Sequence, residues 1–496
     1  MNRKQENGKG ANKPFIAGLC AILAASLIGL APVAAQELKV EAEPTNTAAW
    51  VLARYAVGLK YEDLPPDVVA ITKRRILDAI GGAYGAYNAP SMVILRDVLM
   101  SEGAKPESTI IGSGQKTDAA NATIVNGSMI YFSNFSDTYW STDKSYMHPS
   151  QVISEALAVA ERQHASGKDL ILATVLGYEM QSRLADTFRW PGFEQHTAGG
   201  LAAAVVAGKL LGLNERQMAS AIGLGWAHSF IINGQYGVGY MADEKDIGET
   251  AAAANGVLGA LMAQKGLTGP VTIIESYQRA FEKNASLAPL VDPRKDFAIT
   301  KAWMKPYIGF HVSESAVAGT LQITKEHNLK PDQVQKVFVR GLPGRRDTEI
   351  TRNTTLPTSE SEASMNLSYL LAMAITDGEV GKDQFKGQWK DPKVQELMAK
   401  VESQGDAELT KGFPKTWTAI VQITTKDGQT YTQRIDLPKG GPDNPFTDQE
   451  LESKFNKMAT KLMPQAQADQ IIKACYDLDK MKDVSELTKL LKATKN

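Results

Sequence analysis

The sequence predicts a mainly α-helical protein, with a large helical domain and a smaller α+β domain. Helical periods dominate residues 46–275, and several helices there are almost wholly small or apolar. A helix that is apolar all round must be buried on every side, which indicates a sizeable bundle. Residues 276–444 then mix helices with β-branched runs. The length of 496 residues is enough for two such domains.

The helical pattern is clearest in four segments of the first part. They read PDVVAITKRRILDAIGGAYGA, ISEALAVAERQHAS, LAAAVVAGKLLGL and AAAANGVLGALMAQKG. The last two are rich in Ala and Gly, which let helix axes approach closely. We therefore place one helical domain with a small-residue core at residues 46–275.

The second part carries strand signals. QVQKVFVRGLP contains a short β-branched and aromatic run, and TAIVQITTKDGQTYTQRIDL predicts a hairpin that turns at Asp427-Gly428. Helices are predicted at SESAVAGTLQITKEHN and NLSYLLAMAITDG. We expect residues 276–444 to form an α+β unit.

The Pro- and Gly-rich stretch LPKGGPDNP ends that unit. Thr447 and Glu450 then form a capping box for a final helical region. One face of this helix carries an apolar stripe: Leu451, Phe455, Met458 and Leu462. We expect residues 445–496 to bury that stripe against the first domain and so complete it.

The first 35 residues differ from the rest. Four basic residues open the segment: Arg3, Lys4, Lys9 and Lys13. The apolar run PFIAGLCAILAASLIGLAPVAA follows and closes on Val33-Ala34-Ala35, a small-residue cleavage pattern. This order is typical of a signal peptide over residues 1–35. A retained anchor is the alternative, but the run is short for a bilayer span and is interrupted by Pro32. We expect a periplasmic or secreted protein that meets the membrane only through this signal.

Composition excludes several classes of function. Without the signal the chain has 50 basic and 54 acidic residues, and no basic run is interleaved with aromatics, so we expect no nucleic-acid partner. Only Cys475 then remains, which rules out an intrachain disulfide or an iron–sulfur cluster held by several thiolates. The six histidines show no H-x-x-x-H or H-E-x-x-H spacing, so no metal site is expected.

Candidate site residues stand just ahead of buried helices. In NFSDTYWSTDKSYMHPSQ, His148 precedes Pro149 and the start of a helix. Unpaired backbone N–H groups there favour an anion and disfavour imidazolium, which suits a neutral histidine beside a carboxylate ligand. His196 and Lys245 occupy similar places, and WMKPYIGFH contributes Lys305 and Tyr307. Taken singly, such residues are more often structural. Together they predict one pocket for a small, carboxylate-rich molecule.

The order of these segments resembles the MmgE/PrpD family over residues 46–460. The resemblance rests on LPPDVVAITKRRILDAIGGAYGA, VNG at 125–127, the stretch ending in HPS, SGKDLILATVLGYEMQSRL, HTAGGLAAAVVAGKLLGLNERQMASAIG, the Lys245 segment through ANGVLGALMAQKGLTGP, NLSYLLAMAITDG and GPDNPFTDQELESKF. The family includes 2-methylcitrate dehydratase, cis-aconitate decarboxylase and iminodisuccinate epimerase. Membership implies a cofactor-free active site between a large helical domain and a small α+β lid, usually in a homodimer.

The resemblance also implies roles for particular residues. The family's histidine before Pro-Ser falls on His148, its histidine before Thr on His196, and its lysine before the Ala-rich helix on Lys245. Its threonine after Asp-Asp falls on Thr138.

The chain departs from the family in one loop and in the lid. Where H-x-x-D-F-D-D-T is common, it reads Tyr131-Phe-Ser-Asn134-Phe-Ser136-Asp137-Thr138. The usual lid histidine aligns best with Glu314, and His311 is close but off register.

The chemistry that the family implies is abstraction of a proton α to a carboxylate. Loss of a β-substituent, loss of CO₂ or return of the proton then follows. His148 or His196 would serve as base and acid, while Lys245 and Lys305 would neutralise substrate carboxylates. Asp137 or Asp143 would replace the missing acidic function. Asn134 can bind substrate through hydrogen bonds but cannot take a proton.

We therefore expect a lyase or isomerase acting on a small di- or tricarboxylate. A dehydratase comes first, with a decarboxylase or an epimerase as the other possibilities. The replaced carboxylates motivate a second hypothesis, a binding protein or pseudoenzyme on the same scaffold. A third is a hydrolase that uses Asp137 and Asp143 as paired carboxylates.

Overall fold

The computed structural model describes residues 43–142, 144–233, 242–341, 350–351 and 355–495. The signal peptide predicted for residues 1–35 and the candidate Asp143 lie outside these residues. The chain divides into two units between Pro44 and Thr45, and the features below all belong to Thr45–Asn496. None of the helices in the described part of the chain is both long and apolar enough to cross a membrane.

The unit is mainly α-helical, as the sequence predicts, and nineteen α-helices lie within the described residues. The first eleven are α1 (Ala48–Gly58), α2 (Pro66–Ala86), α3 (Pro90–Ser101), α4 (Ala119–Tyr131), α5 (Val152–Arg162), α6 (Gly167–Thr187), α7 (Ala198–Leu210), α8 (Glu215–Ala227), α9 (Gly248–Gln264), α10 (Ile273–Phe281) and α11 (Ala288–Val291). The others are α12 (Glu314–Glu326), α13 (Glu360–Ser364), α14 (Leu367–Thr376), α15 (Pro392–Met398), α16 (Ala407–Thr410), α17 (Asp448–Ala459), α18 (Gln465–Tyr476) and α19 (Ser485–Thr488).

A small sheet accompanies the later helices. The strands of the described residues are β1 (Ser108–Thr109), β2 (Lys116–Thr117), β3 (Tyr139–Trp140), β4 (Tyr146–Met147), β5 (Val334–Arg340), β6 (Ile350–Thr351), β7 (Val401–Gln404), β8 (Ala419–Thr425) and β9 (Thr430–Ile435). The last five form one sheet in the order β6-β7-β5-β8-β9, with β5 parallel to β7 and antiparallel to β8.

The predicted hairpin is confirmed as β8 and β9, which pair from Ala419 with Ile435 to Thr424 with Thr430. Gly428 has φ 88° in the connecting loop, a conformation that glycine adopts without steric cost. Along β8 the buried residues alternate with half-buried ones, and α12 packs against β8 and β9. One face of the sheet is therefore covered by a helix, which gives the predicted α+β character.

The helical core is built on close contacts between α7, α8 and α9. Gly200, Gly225 and Gly256 lie where these helices meet. A Cβ atom on Gly256 would lie 2.3 Å from the carbonyl oxygen of Gly200. The predicted small-residue core is thus present, and the absence of side chains at these points sets how closely the axes approach.

The last helices pack against the first part of the chain, as predicted. The capping box of Thr447 and Glu450 starts α17, which lies against α2. A Cβ on Gly81 of α2 would lie 3.1 Å from atoms of both Phe455 and Met458. All of Thr45–Asn496 groups as one compact unit, so the domain boundaries near residues 275 and 444 stay a prediction.

Two short hairpins were not predicted. β1 pairs with β2, and β3 pairs with β4 through Tyr139–Met147 and Trp140–Tyr146. Each strand has only two residues. A strand of that length cannot show the alternation of apolar and polar residues by which strands are recognised in a sequence.

The close approach at Gly256 predicts a specific stability effect. Gly256→Ala should destabilise the protein, because overpacking of about 1–3 kcal/mol exceeds the roughly 1 kcal/mol gained in helix propensity. Gly58→Ala is the matched control, since Gly58 ends α1 and a Cβ added there would meet nothing within 4 Å. Urea unfolding midpoints should fall for the first variant and stay or rise for the second. Equal midpoints would contradict this account of the core.

Candidate active site

A cavity of about 150 Å³ brings four of the predicted site residues together: Asn134, Thr138, His148 and Lys305. The remaining lining residues are Tyr131, Trp140, Tyr146, Phe310, His311, Val312 and Met365. The β3–β4 hairpin supplies one wall, with the rings of Trp140 and Tyr146 stacked at 4.7 Å. The segment that follows Lys305 supplies another wall through Phe310, His311 and Val312. The cavity is thus lined by residues of the polar loop before α5 and of the segment that begins at WMKPYIGFH.

The two walls are joined by backbone pairing. The amide nitrogen of Thr138 donates to the carbonyl of Trp303 at 2.9 Å, and the Trp303 nitrogen donates back to Thr138 at 2.8 Å. This reciprocal pair fixes the loop of Asn134 against the chain that leads into Lys305.

Asn134 holds both buried lysines. Its backbone carbonyl accepts from Lys305 Nζ at 2.7 Å, and its side-chain oxygen accepts from Lys245 Nζ at 3.0 Å. The side-chain nitrogen donates to Met365 Sδ at 3.0 Å. The residue has φ 55°, a left-handed conformation that asparagine tolerates better than most residues. One residue thus turns two acceptors toward two cations.

Lys245 lies in the 3₁₀ turn Asp243–Asp246, directly before α9, as the sequence predicts. It is 1 % exposed, and Nζ also lies 3.2 Å from Asp246 Oδ1. The ammonium stands 4.4 Å from the centre of the Tyr131 ring. A carboxylate, an amide oxygen and an aromatic face together offset the cost of burying this charge.

Lys305 is fully buried and has a different environment. Its Nζ donates to the carbonyls of Asn134 and Gly309, at 2.7 and 3.0 Å. In the described part of the chain no carboxylate lies within 4 Å of this nitrogen. Burial lowers the pKa of Lys305 to about 7, with the charge of Glu314 opposing the shift. Lys305 therefore exchanges its proton near neutral pH, and its third N–H is left for the cavity that it lines.

Glu314 is the carboxyl group whose charge acts most on Lys305. It is buried at the start of α12, and no described residue forms a hydrogen bond to either of its carboxyl oxygens. Burial raises the pKa of Glu314 to about 8, against the opposing charge of Lys305. Lys305 and Glu314 thus both have pKa values close to neutrality.

His148 is a neutral base that faces the cavity. Its Nδ1 lies 2.9 Å from the carbonyl oxygen of Asp137 and 3.1 Å from Thr138 Oγ1. Because a carbonyl only accepts, Nδ1 carries the proton and Nε2 keeps the lone pair. Burial, followed by the charge of Lys305, holds the pKa of His148 well below its usual range. This direction agrees with the neutral state expected from the sequence, although burial and not the helix terminus is its main cause.

His196 and Lys245 lie next to the residues that line the cavity. The Tyr131 ring contacts His148 at 5.0 Å, His196 at 5.3 Å and the Lys245 ammonium at 4.4 Å. His196 lies in the turn Gln195–Thr197 before α7, and among the described residues neither of its ring nitrogens has a hydrogen-bond partner. Burial, helped by Lys245, lowers the pKa of His196 to about 3. These two residues belong to the same cluster but do not line the cavity.

Asp137 has a different place from the one predicted. Its carboxylate accepts from Arg75 Nη1 at 2.6 Å, from the Tyr178 hydroxyl at 2.6 Å and from the Ser150 amide at 2.8 Å. The group is occupied on both oxygens and does not line the cavity. The ion pair with Arg75 holds the Asp137 carboxylate away from the cavity lining, and the expected role of Asp137 as an acid stays a prediction. The residue contributes its backbone carbonyl, which orients His148.

Tyr307 also lies outside the lining, although Lys305 reaches in from the same segment. It is half-buried against the core, and burial, with the charge of Glu314, raises its pKa to about 12. The side chains of residues 305 and 307 thus have different surroundings.

Sequence reasoning named His311 only as off register and missed the aromatic walls. His311 lines the cavity, its ring packs 4.2 Å from that of Trp417, and neither ring nitrogen has a hydrogen-bond partner within the described part of the chain. Burial, with Lys305, holds its pKa well below the usual range. The position of His311, six residues after Lys305, could have indicated it as the lid histidine. Glu314 aligns better with that position of the family and was therefore preferred.

Fold and site together define a lyase scaffold in which a helical bundle and an α+β unit enclose buried cations and neutral histidines. The chain matches the MmgE/PrpD N-terminal domain over residues 51–287 and the MmgE/PrpD C-terminal domain over residues 310–478. It belongs to the MmgE/PrpD family.

Curated relatives are similar over nearly their whole length. The chain is 27 % identical to a cis-aconitate decarboxylase of Homo sapiens over 460 residues, which covers 88 % of this chain and 92 % of that protein. It is 26 % identical to a cis-aconitate decarboxylase of Mus musculus over 459 residues, 88 % of this chain and 91 % of the relative. It is 25 % identical to a cis-aconitate decarboxylase-like protein of Aspergillus oryzae over 485 residues, 91 % of this chain and 98 % of the relative.

The protonation states of the site can be measured without a substrate. With ¹⁵N-labelled histidine, His148 and His196 should give neutral imidazole signals down to about pH 5.5, roughly one unit below the ordinary histidine pKa. The exposed His164 provides a reference in the same spectra, and His148→Gln and His196→Gln assign the two signals. Protonation of either buried ring near pH 6.5 would show that burial does not control this site.

Proposed function

We propose that this protein is a carboxy-lyase that removes CO₂ from a small unsaturated tricarboxylate such as cis-aconitate. The observation that carries the proposal is the pair of buried lysines held by Asn134 at a 150 Å³ cavity whose wall includes the neutral His148. The named activity of the relatives supports it. We therefore propose decarboxylation first, whereas the sequence alone put dehydration first.

The composition of the site favours decarboxylation. Dehydration needs a base that removes an α-proton and an acid that helps hydroxide leave. Asn134 stands where the family commonly has an aspartate, and Asp137 is held by Arg75. Decarboxylation of a β,γ-unsaturated acid needs less: the electron pair of the broken C–C bond passes into an allylic carbanion. The site then needs cations that stabilise the carbanion and one proton donor that protonates its carbon.

Lys305 is the group best placed to supply that proton. It lines the cavity, it has one N–H beyond its two carbonyl contacts, and its pKa of about 7 suits proton transfer at neutral pH. Lys245 contributes charge from behind Asn134 and Tyr131. His148, whose pKa burial holds well below its usual range, stays neutral and lines the pocket without taking a proton. CO₂ leaves, and the former vinylic carbon gains a proton from the Lys305 ammonium. Solvent then reprotonates the Lys305 amine.

We also propose that the chain is exported and cleaved near Gln36, because its first 35 residues have the order of a signal peptide. A homodimer and chemistry without a cofactor follow from the family resemblance. Within the described residues no group of three or more His, Cys, Asp or Glu side chains has the geometry to hold a metal ion.

The reaction can be followed directly by NMR. Protein incubated with cis-aconitate in D₂O should release CO₂ and form a methylidene product with one deuterium at the former vinylic carbon. Citrate and 2-methylcitrate, supplied in parallel, should remain unchanged. Their dehydration would make the protein a dehydratase, and saturable binding of all three acids without turnover would make it a binding protein.

The role of Lys305 predicts a pH profile. Its ammonium form is the donor and is lost as pH rises, so kcat/KM should fall above about pH 7. Lys305→Met should lower kcat by about 10²–10⁴-fold, the usual range for general acid catalysis. Lys305→Arg should keep a cation but abolish the descending limb. If Glu314→Gln removes that limb and Lys305→Arg leaves it, Glu314 is the titrating group instead.

A further inference from the structure

A second cavity, of about 600 Å³, lies near the candidate active site and has no part in the chemistry above. Helical parts of the chain contribute Tyr84, Phe132 and Met458 to its walls, and the segment after α14 contributes Phe385 and Trp389. Its volume is in the range of small-molecule sites, roughly 300–1,000 Å³. Phe132 directly follows Tyr131 of the active-site cavity, so the two cavities share a short piece of chain.

A buried ion pair gives this cavity its polar anchor. Lys382 Nζ lies 3.2 Å from Glu360 Oε1, and the two side chains are 8 % and 19 % exposed. The same ammonium stands 4.1 Å from the centre of the Phe132 ring. Lysines outnumber carboxylates in the lining by one, with Lys382, Lys386, Lys390 and Lys461 against Asp243, Glu360 and Asp383. Asp383 pairs with both Lys386 and Lys461. Apolar aromatic walls with a net positive charge suit an organic anion with an apolar body.

The short helix α13 connects the two cavities. It begins at Glu360, in contact with Lys382, and its Ser361 Oγ donates to Asp246 Oδ2 at 2.8 Å. Asp246 is the carboxylate partner of Lys245.

The other end of α13 reaches the active site. Asn134 Nδ2 lies 3.4 Å from Ser364 Oγ and 3.0 Å from Sδ of Met365, the residue that follows the helix. Met365 lines the active-site cavity. Five helical residues therefore link Lys382 to the asparagine that holds both active-site lysines.

We propose that the 600 Å³ cavity is an effector site for a small organic anion that combines a carboxylate with an aromatic or similar apolar body. The ligand carboxylate pairs with Lys382 in place of Glu360, and the apolar body packs between Phe132 and Trp389. Release of Glu360 shifts α13 and changes the position of Asn134. This proposal goes beyond the proposed reaction, and its binding step does not depend on it.

Binding can be tested with 3-phenylpropanoate and its matched cation 3-phenylpropylamine, using saturation-transfer NMR. The anion should bind saturably and the amine should not.

Variants of the lining test the same site. Lys382→Met should weaken binding of the anion about tenfold or more, since a hydrogen bond to a charged group is lost. Ser91→Trp, which fills the cavity from α3, should do the same. Lys400→Met removes a lysine from an unrelated pair with Glu396 and should leave affinity unchanged. Equal binding of the amine, or unchanged affinity in both cavity variants, would overturn the site.

The link to the active site has its own readout. The ¹³C-methyl signal of Met365, assigned with Met365→Leu, should shift when 3-phenylpropanoate binds the wild-type protein and stay fixed in Lys382→Met. By linkage, the anion and the substrate must change each other's affinity by the same factor. Saturable binding without a Met365 shift would refute the coupling through α13. Because the Met365 signal needs no turnover, failure of the decarboxylase assay would leave this test intact.

Discussion

The candidate site depends on the burial of two ammonium groups around one asparagine. An isolated charge costs much free energy when it leaves water, so each lysine must find acceptors that the fold has already fixed in place. Asn134 supplies one through its backbone and one through its side chain, and it does so in a left-handed conformation. Reciprocal bonds between Thr138 and Trp303 hold the loop in that geometry. Burial at this site, helped by the charges of the lysines, also lowers the pKa values of His148, His196 and Lys305.

Tyr131 shows how departures from the family pattern act together. The family commonly has a histidine at this position, and a phenol ring replaces it here. That ring receives Lys245 on its face and packs against His148 and His196. With Asn134 where the family commonly has an aspartate, the Lys245 ammonium contacts an aromatic ring and an amide oxygen.

Features that depend on local sequence were predictable. The helices, the β8–β9 hairpin and the packing of α17 on α2 follow from periodicity, a turn dipeptide and a capping box. His148, His196 and Lys245 could be placed before buried helices, because the start of a helix is recognisable in a sequence.

The direction of a side chain was not predictable in the same way. Asp137 and Thr138 are neighbours, yet the Asp137 carboxylate pairs with Arg75, whereas Thr138 lines the cavity. That choice depends on an arginine 62 residues away along the chain. His311 was passed over for a related reason: its ring is placed by Trp417, more than a hundred residues later, and no local pattern records that contact.

Lys454 of α17 gives the active site a dependence on the order of synthesis. Its ammonium lies 2.7 Å from Asp78 Oδ1, donates to the carbonyl of Lys305 at 2.8 Å and stands 4.1 Å from the ring of Phe135. The loop of Asn134 and the chain at Lys305 are therefore both held by a residue that follows them in the sequence. A chain that has been synthesised only as far as Lys305 lacks these contacts. The site is complete only after α17 has been made and has packed against α2.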